Sequence, residues 1–225
     1  MTPSFATSLD ALGGWRAALA ERLDDLARFL REHELAGGDV AEHISALRER
    51  LGNEKLVVAF VAEFSRGKSE LINAIFFADT GRRILPATPG RTTMCPVELG
   101  WRGDEPPSLL LLPIETRLEG LSLAEMRQQP RAWRKLELDV GNAEGLAQSL
   151  LEVTRTEWVS EDRARSLGFW DDETPDDNPP RDDAGRVEVP AWRHALINYP
   201  HPLLKQGLVV LDTPGLNAIG AEPEL

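Results

Sequence analysis

The chain has 225 residues, enough for one domain with its own core and a helical appendage, but too few for two large domains. Its formal charge of −12 repels a nucleic-acid backbone, which argues against DNA or RNA as a ligand. The single cysteine, Cys95, excludes an internal disulfide and a zinc site built from several thiolates. The chain lacks a signal-peptide pattern and any apolar run long enough to span a bilayer, so we expect a cytoplasmic protein.

The first part of the chain has the pattern of two helices. Leucines recur at helical spacing over residues 8–35, which predicts an amphipathic helix. A glycine pair at 37–38 ends it, and Asp39 followed by Glu42 resembles a capping box that opens a second helix. Residues 1–52 are therefore predicted to form a helical hairpin, which must dock elsewhere because two helices cannot bury both apolar stripes.

The pattern changes after residue 52. Residues 56–61 are a continuous apolar run, typical of a strand buried on both faces in a parallel sheet. A turn follows, and apolar residues then recur at helical spacing over 68–77. Strand, turn and helix in this order are the first half of a βαβ unit and predict an α/β domain over residues 53–225. Further strands are predicted at 93–101, 108–112, 187–198 and 207–211, and further helices at 121–127 and 142–156.

An acidic run crosses the middle of this domain. Residues 171–183 carry seven acidic residues, one arginine and three prolines. We expect a mobile, solvated loop near 170–185, because prolines disfavour the fixed carboxylates that a metal site needs.

The turn after the first strand carries the phosphate-loop pattern G-x-x-x-x-G-K-[ST], with Ala62 in place of the first glycine. In this pattern backbone N–H groups surround a phosphate, Lys68 neutralises its charge and the Ser69 hydroxyl reaches Mg²⁺. The nucleotide-binding residues are predicted to be Glu63, Phe64, Ser65, Arg66, Gly67, Lys68 and Ser69.

A second nucleotide element is predicted where another buried strand ends. D-x-x-G occurs at Asp10, Asp182 and Asp212, but only Asp212 follows an apolar strand. Asp212 is thus the candidate for a water-mediated Mg²⁺ ligand, and Gly215 for contact with the γ-phosphate. Residues 85–97 lie between the two elements, and their threonines are suited to a nucleotide-dependent switch.

These runs together resemble the GTPase domain of the dynamin superfamily, specifically bacterial dynamin-like proteins. The resemblance rests on residues 63–75, on the Leu-Pro, Thr-Thr and Pro pattern of residues 85–96, and on Asp-Thr-Pro-Gly-Leu-Asn at 212–217. It implies a P-loop NTPase-type α/β fold with an incomplete sheet. It also implies a Mg²⁺-dependent GTPase whose G domains pair across the nucleotide. It also implies that the N-terminal helices belong to a bundle next to the stalk.

The resemblance assigns roles to individual residues. Thr93, or Thr92 in the alternative register, matches the switch threonine that completes the Mg²⁺ shell. Ser65 matches a small residue near the β–γ bridging oxygen, and Phe64 stands where dynamins often have glutamine. Arg66 fits a charge-compensating catalytic arginine, but it equally fits a solvent-facing residue or a contact with a partner G domain.

The resemblance covers only the first part of a G domain. None of Lys55, Lys68, Lys135 and Lys205 follows Asn or Thr, so the guanine-selecting motif Asn/Thr-Lys-x-Asp is absent. We therefore expect a piece of a longer protein, with an unpaired apolar sheet edge. Any membrane contact would come from segments outside this chain.

Three hypotheses for the function remain open. The chain belongs to a GTPase, it belongs to an ATP-using P-loop protein, or it is a binding module that holds a nucleotide or a partner without turnover. A helical interaction protein with an incidental loop is disfavoured, because two nucleotide elements occur in the expected order.

Overall fold

The computed structural model describes residues 5–35, 37–53, 55–61, 67–86, 95–174 and 178–213. Among them are seven α-helices and eight strands, along with short 3₁₀ turns. The helices are α1 (Phe5–Glu32), α2 (Gly38–Asn53), α3 (Lys68–Phe76), α4 (Leu123–Arg127), α5 (Ala143–Leu150), α6 (Glu161–Ser166) and α7 (Pro202–Lys205). The strands are β1 (Leu56–Phe60), β2 (Val97–Gly100), β3 (Ser108–Pro113), β4 (Arg134–Glu137), β5 (Thr156–Val159), β6 (Val187–Pro190), β7 (Trp192–Asn198) and β8 (Leu208–Asp212).

Helices α1 and α2 form the hairpin that the leucine spacing predicts. Helix α1 continues through Gly13 and Gly14 and ends at Glu32, three residues earlier than predicted. The chain reverses at Glu34, which has a positive φ of 54°. Leu9 is the one buried residue of α1 and joins the core of the α/β domain, while Asp10 accepts a hydrogen bond from Gln206. The start of α1 thus attaches the hairpin to the chain just before β8.

The central sheet is six-stranded and mixed, in the order β1-β8-β2-β7-β3-β4. Strands β1 and β8 pair in parallel, as do β2 and β7, whereas the other neighbours pair antiparallel. The main core includes Ile72 and Phe76 of α3, Leu99 of β2 and Val210 of β8. A smaller core on β3 and β7 contains Met126 of α4 and Trp133. This mixed α/β architecture agrees with the predicted fold class.

The prediction that β1 is buried on both faces is wrong. Among the described strands β1 pairs only with β8, and Val57 keeps 55% of its surface exposed. Val57 also lines an open trough of about 450 Å³, together with Val209, Leu211 and residues of α4. Among the described residues the apolar run therefore forms an edge strand. The opposite edge strand, β4, carries charged side chains that discourage pairing with another strand.

The predicted strand over residues 187–198 is two strands in two different sheets. Strand β7 belongs to the central sheet, whereas β6 pairs with β5 in a separate two-stranded sheet. Ala191 separates them, and its N–H donates to Arg155 O at 2.9 Å. The predicted helix over 142–156 is also too long, because α5 ends at Leu150 and Thr156 already belongs to β5.

Ion pairs connect the acidic run to α6 and to Arg186, the residue before β6. Asp172 pairs with Arg165 at 2.9 Å, and Asp182 pairs with Arg186 at 2.8 Å. Arg181 contacts Glu161 and lies 4.5 Å from the centre of the Trp170 ring. Most of the described residues of this run are exposed and lie outside the helices and strands, and the mobility of the loop stays a prediction. Residues 175–177 lie outside the described part of the run.

None of the helices in the described ranges is both long enough and apolar enough to cross a membrane.

Cys95 is buried shortly before β2, and burial raises the pKa of its thiol far above the ordinary value. A buried thiol of this kind is unreactive, so Cys95 serves packing.

Candidate functional site

The site lies where β1 and β8 end side by side. The two strands are parallel, with Phe60 opposite Asp212, so both carboxyl ends face the same edge of the sheet. The Thr213 hydroxyl donates to Phe60 O at 3.1 Å and fastens the two ends together. In open α/β sheets, ligands bind at this carboxyl edge.

Helix α3 begins at the same place. Its N-cap is Gly67, with φ 82° and ψ 21°, a left-handed conformation that glycine adopts without a steric penalty. Leu71 N donates to Gly67 O at 3.0 Å and closes the first turn. Since glycine has no side chain to cap the helix, the first turn presents backbone N–H groups and a positive dipole end. The sequence thus builds an anion-binding helix start beside Asp212.

A buried hydrogen bond joins the two predicted nucleotide elements. Ser69 Oγ donates to Asp212 Oδ2 at 2.7 Å, and both residues are buried. The other carboxylate oxygen, Asp212 Oδ1, is buried with no hydrogen-bond partner among the described residues. Burial raises the pKa of the Asp212 carboxyl, although the Ser69 hydrogen bond and the Lys68 charge lower it in part. Ser69, Lys68 and Asp212 therefore form one electrostatic unit.

This donor set fits Mg²⁺ held jointly with phosphates. Within the described ranges, no three His, Cys, Asp or Glu side chains converge as they would in a metal site made by protein alone. Mg²⁺ in nucleotide sites normally takes one or two protein ligands, and water and phosphate oxygens complete its shell. The Ser69 hydroxyl and the unpartnered Asp212 Oδ1 supply the kind of oxygen that such a site needs.

The structure describes part of the predicted site. It brings Gly67, Lys68, Ser69 and Asp212 together at the carboxyl edge of the sheet. The other predicted residues lie outside the described residues: Glu63, Phe64, Ser65, Arg66, Thr93 with its alternative Thr92, and Gly215.

The sequence analysis missed two polar residues at this edge. Thr213 fastens β8 to β1, and Asn73 of α3 makes buried hydrogen bonds to the segment at 84–85. Asn73 could have been found, because it interrupts the apolar stripe of Ile72 and Phe76 on the buried face of α3. A polar residue in such a stripe needs a partner. Thr213 carried no comparable signal.

Comparison with protein families agrees with this arrangement. The model of the Dynamin family matches residues 58–223, which is most of the chain. The match begins within β1 and includes the phosphate loop, α3 and Asp212.

The solved structures that match include two of an oligomerised bacterial dynamin pair, which is described as providing a mechanism for the long-range sensing and tethering of membranes. One is 11% identical with a TM-score of 0.45, and the match covers 97% of this chain and 31% of the other. A second is 12% identical with a TM-score of 0.42, covering 96% and 30%. The chain thus spans about a third of the length of the structures it matches. No curated protein matches it.

Proposed function

Because the chain belongs to the dynamin family, we propose that it is the nucleotide-binding part of a GTPase and binds Mg²⁺·GTP at the carboxyl edge of its sheet. The observation that carries the proposal is the 2.7 Å hydrogen bond from Ser69 to Asp212. It joins the end of the phosphate loop to the aspartate that ends a parallel strand, and this pairing is typical of P-loop nucleotide sites.

Each residue has a proposed role. Lys68 neutralises the β- and γ-phosphates, while the N–H groups of residues 63–69 surround the β-phosphate. Ser69 and Thr93 are ligands of the metal, and Asp212 holds it through water. Gly215 donates its N–H to the γ-phosphate. Ser65 lies near the β–γ bridge and helps to place a charge-compensating group, for which Arg66 is the candidate.

The bound metal would supply positive charge that offsets the charge building up on the phosphate oxygens. The residues of the chain orient the triphosphate for in-line attack by water. Pairing of two such domains across the nucleotide is part of the proposal, by analogy with the family alone. Contact with a membrane, and a location at its inner face, are proposed only for segments beyond this chain.

The test measures the binding of Mg²⁺·GTP, Mg²⁺·ATP and tripolyphosphate by calorimetry. Tripolyphosphate probes the phosphate site without a base, so it separates phosphate binding from base selection. We expect Lys68→Ala to weaken binding of all three ligands at least tenfold, because a phosphate-neutralising charge is lost. Lys205→Ala is the matched control, since Lys205 lies before β8, at the end remote from Asp212, near the Trp101 ring. Equal binding by wild type and Lys68→Ala would contradict the proposal.

Phosphate release then separates the remaining alternatives. Turnover of GTP above the Lys68→Ala background supports the GTPase. Binding of GTP without turnover identifies a binding module, and a preference for ATP identifies an ATP-using P-loop protein.

A further inference from the structure

The side chain of Asn73 connects helix α3 to the segment that leads toward Thr92 and Thr93. Asn73 Oδ1 accepts from Ile84 N at 2.9 Å and from Leu85 N at 2.7 Å. Its Nδ2 donates to Leu85 O at 2.8 Å. From this geometry we infer that Asn73 is a positioning residue for triphosphate recognition, an inference that rests on the proposed function.

Helix α3 brings Asn73 to the site through its spacing. Ser69 and Asn73 are four residues apart and lie on the same buried face of the helix. Through Ser69 this face contacts the end of β8, and through Asn73 it contacts residues 84 and 85. One rigid helix therefore sets the position of both segments relative to the phosphate loop at its own N-terminus.

Only an amide of this length satisfies the three backbone groups. A carboxylate can accept from both N–H groups but cannot donate to Leu85 O, and a leucine side chain can do neither. Ile84 and Leu85 are buried in the main core, so water does not replace a lost partner there. Removing the amide leaves buried polar groups unpaired and weakens the attachment of this segment to α3.

The attachment matters because of what the segment connects. On one side Leu85 is held by Asn73, and on the other Cys95 is buried and Pro96 O accepts from Ala195 N at 3.0 Å. Thr92 and Thr93 lie in the sequence between these two fixed points. The fixed point at Leu85, unlike the one at residues 95–96, joins this part of the chain to the phosphate-binding helix α3. Loss of Asn73 should therefore weaken contacts made only to a triphosphate and leave diphosphate binding intact.

The experiment compares the affinities for Mg²⁺·GTPγS and Mg²⁺·GDP in the complete natural polypeptide. We expect Asn73→Leu to weaken GTPγS binding about tenfold and to change GDP binding less than twofold. Asn73→Asp, which keeps both accepted hydrogen bonds, should have a smaller effect and carries the test if Asn73→Leu does not fold. The matched control is Asn198→Leu, because Asn198 fixes residues 102–106 in the same way at the opposite end of the sheet.

Hydrogen exchange separates the possible outcomes. In nucleotide-free protein, the amides of Ile84 and Leu85 should exchange at least tenfold faster in Asn73→Leu. Faster exchange with an unchanged ratio of the two affinities would overturn the positioning role while leaving the proposed function intact. Equal weakening of both nucleotides would also overturn it. A wild-type protein that binds neither nucleotide would reject the proposed function, and the positioning role with it.

Discussion

Ser69 and Asp212 share a buried hydrogen bond of 2.7 Å although they are 143 residues apart in the chain. Ser69 lies in the first turn of α3, the helix that follows β1, and Asp212 ends β8, the parallel neighbour of β1. The bond therefore depends on the pairing of these two strands, which the Thr213 hydroxyl reinforces. The candidate site forms only when the first and last described strands of the domain are paired.

Gly67 should tolerate substitution poorly because of its backbone conformation. With φ at 82°, a Cβ at this position is strained even though no neighbouring atom lies within 4 Å of it. We expect Gly67→Ala to lower the free energy of unfolding by roughly 1 kcal/mol and to displace the N–H groups at the start of α3. Urea denaturation measures the first effect and tripolyphosphate binding the second.

Gly13→Ala provides the matched control for this glycine. Gly13 lies inside α1 with open space around it, so alanine there should raise stability by about 0.5–1 kcal/mol. Similar effects of the two substitutions would show that the left-handed conformation at Gly67 is not required.

The local elements of the site could be predicted from the sequence. The apolar run before Ala62, the helix that begins at Lys68 and the strand before Asp212 all have patterns that depend on near neighbours in the chain. The close approach of Ser69 to Asp212 agrees with the assignment of both residues to the same Mg²⁺ ion.

Features that depend on distant partners could not be predicted. An apolar run has the same sequence pattern in a central strand as in an edge strand. For this reason the prediction that β1 is buried on both faces was wrong. Strand β4 was missed because charged Arg134, Lys135 and Glu137 mask an edge strand. Pro190 lacks an N–H for strand pairing and so signals a break within residues 187–198, but the passage of the chain between two sheets there depends on distant partners.

His194 should make the stability of the chain depend on pH. It is buried on β7, its ring meets that of Trp133 edge-on, and burial together with Arg127 and Arg193 lowers its pKa from 6.5 to about 3. The unfolded chain then binds a proton that the folded chain excludes, so stability falls as the pH drops below 6.5. Between pH 7 and pH 5 we expect wild type to lose about 2 kcal/mol relative to His194→Gln.

The measurement is urea denaturation of both proteins at several pH values. The control is His43→Gln, since His43 is exposed on α2. A stability difference between wild type and His194→Gln that stays constant across this pH range would contradict the prediction. It would show that His194 binds a proton as readily in the folded chain as in the unfolded chain.

Leu9 should contribute most of the free energy that holds the helical hairpin on the α/β domain. Its side chain is buried in the core of the α/β domain, whereas Leu26 on the same helix is 45% exposed. Leu9→Ala should cost about 3 kcal/mol through lost burial and the cavity left behind. Leu26→Ala should change stability by less than about 0.5 kcal/mol. Proteolysis between α2 and β1 should accelerate only in Leu9→Ala, and equal rates in both variants would contradict this attachment.

Val57 should control self-association of the isolated chain. It stands on the uncharged edge strand β1, where unpaired backbone groups and apolar side chains favour pairing with another strand. Val57→Lys places a charge on this edge and, because the side chain is 55% exposed, should cost less than about 0.5 kcal/mol of stability. We expect the variant to remain monomeric in sedimentation experiments at concentrations where wild type associates. Val140→Lys adds the same charge at a turn where the valine is 41% exposed, so it should leave association unchanged. If both lysine variants reduced association equally, net charge rather than the edge of β1 would be the cause.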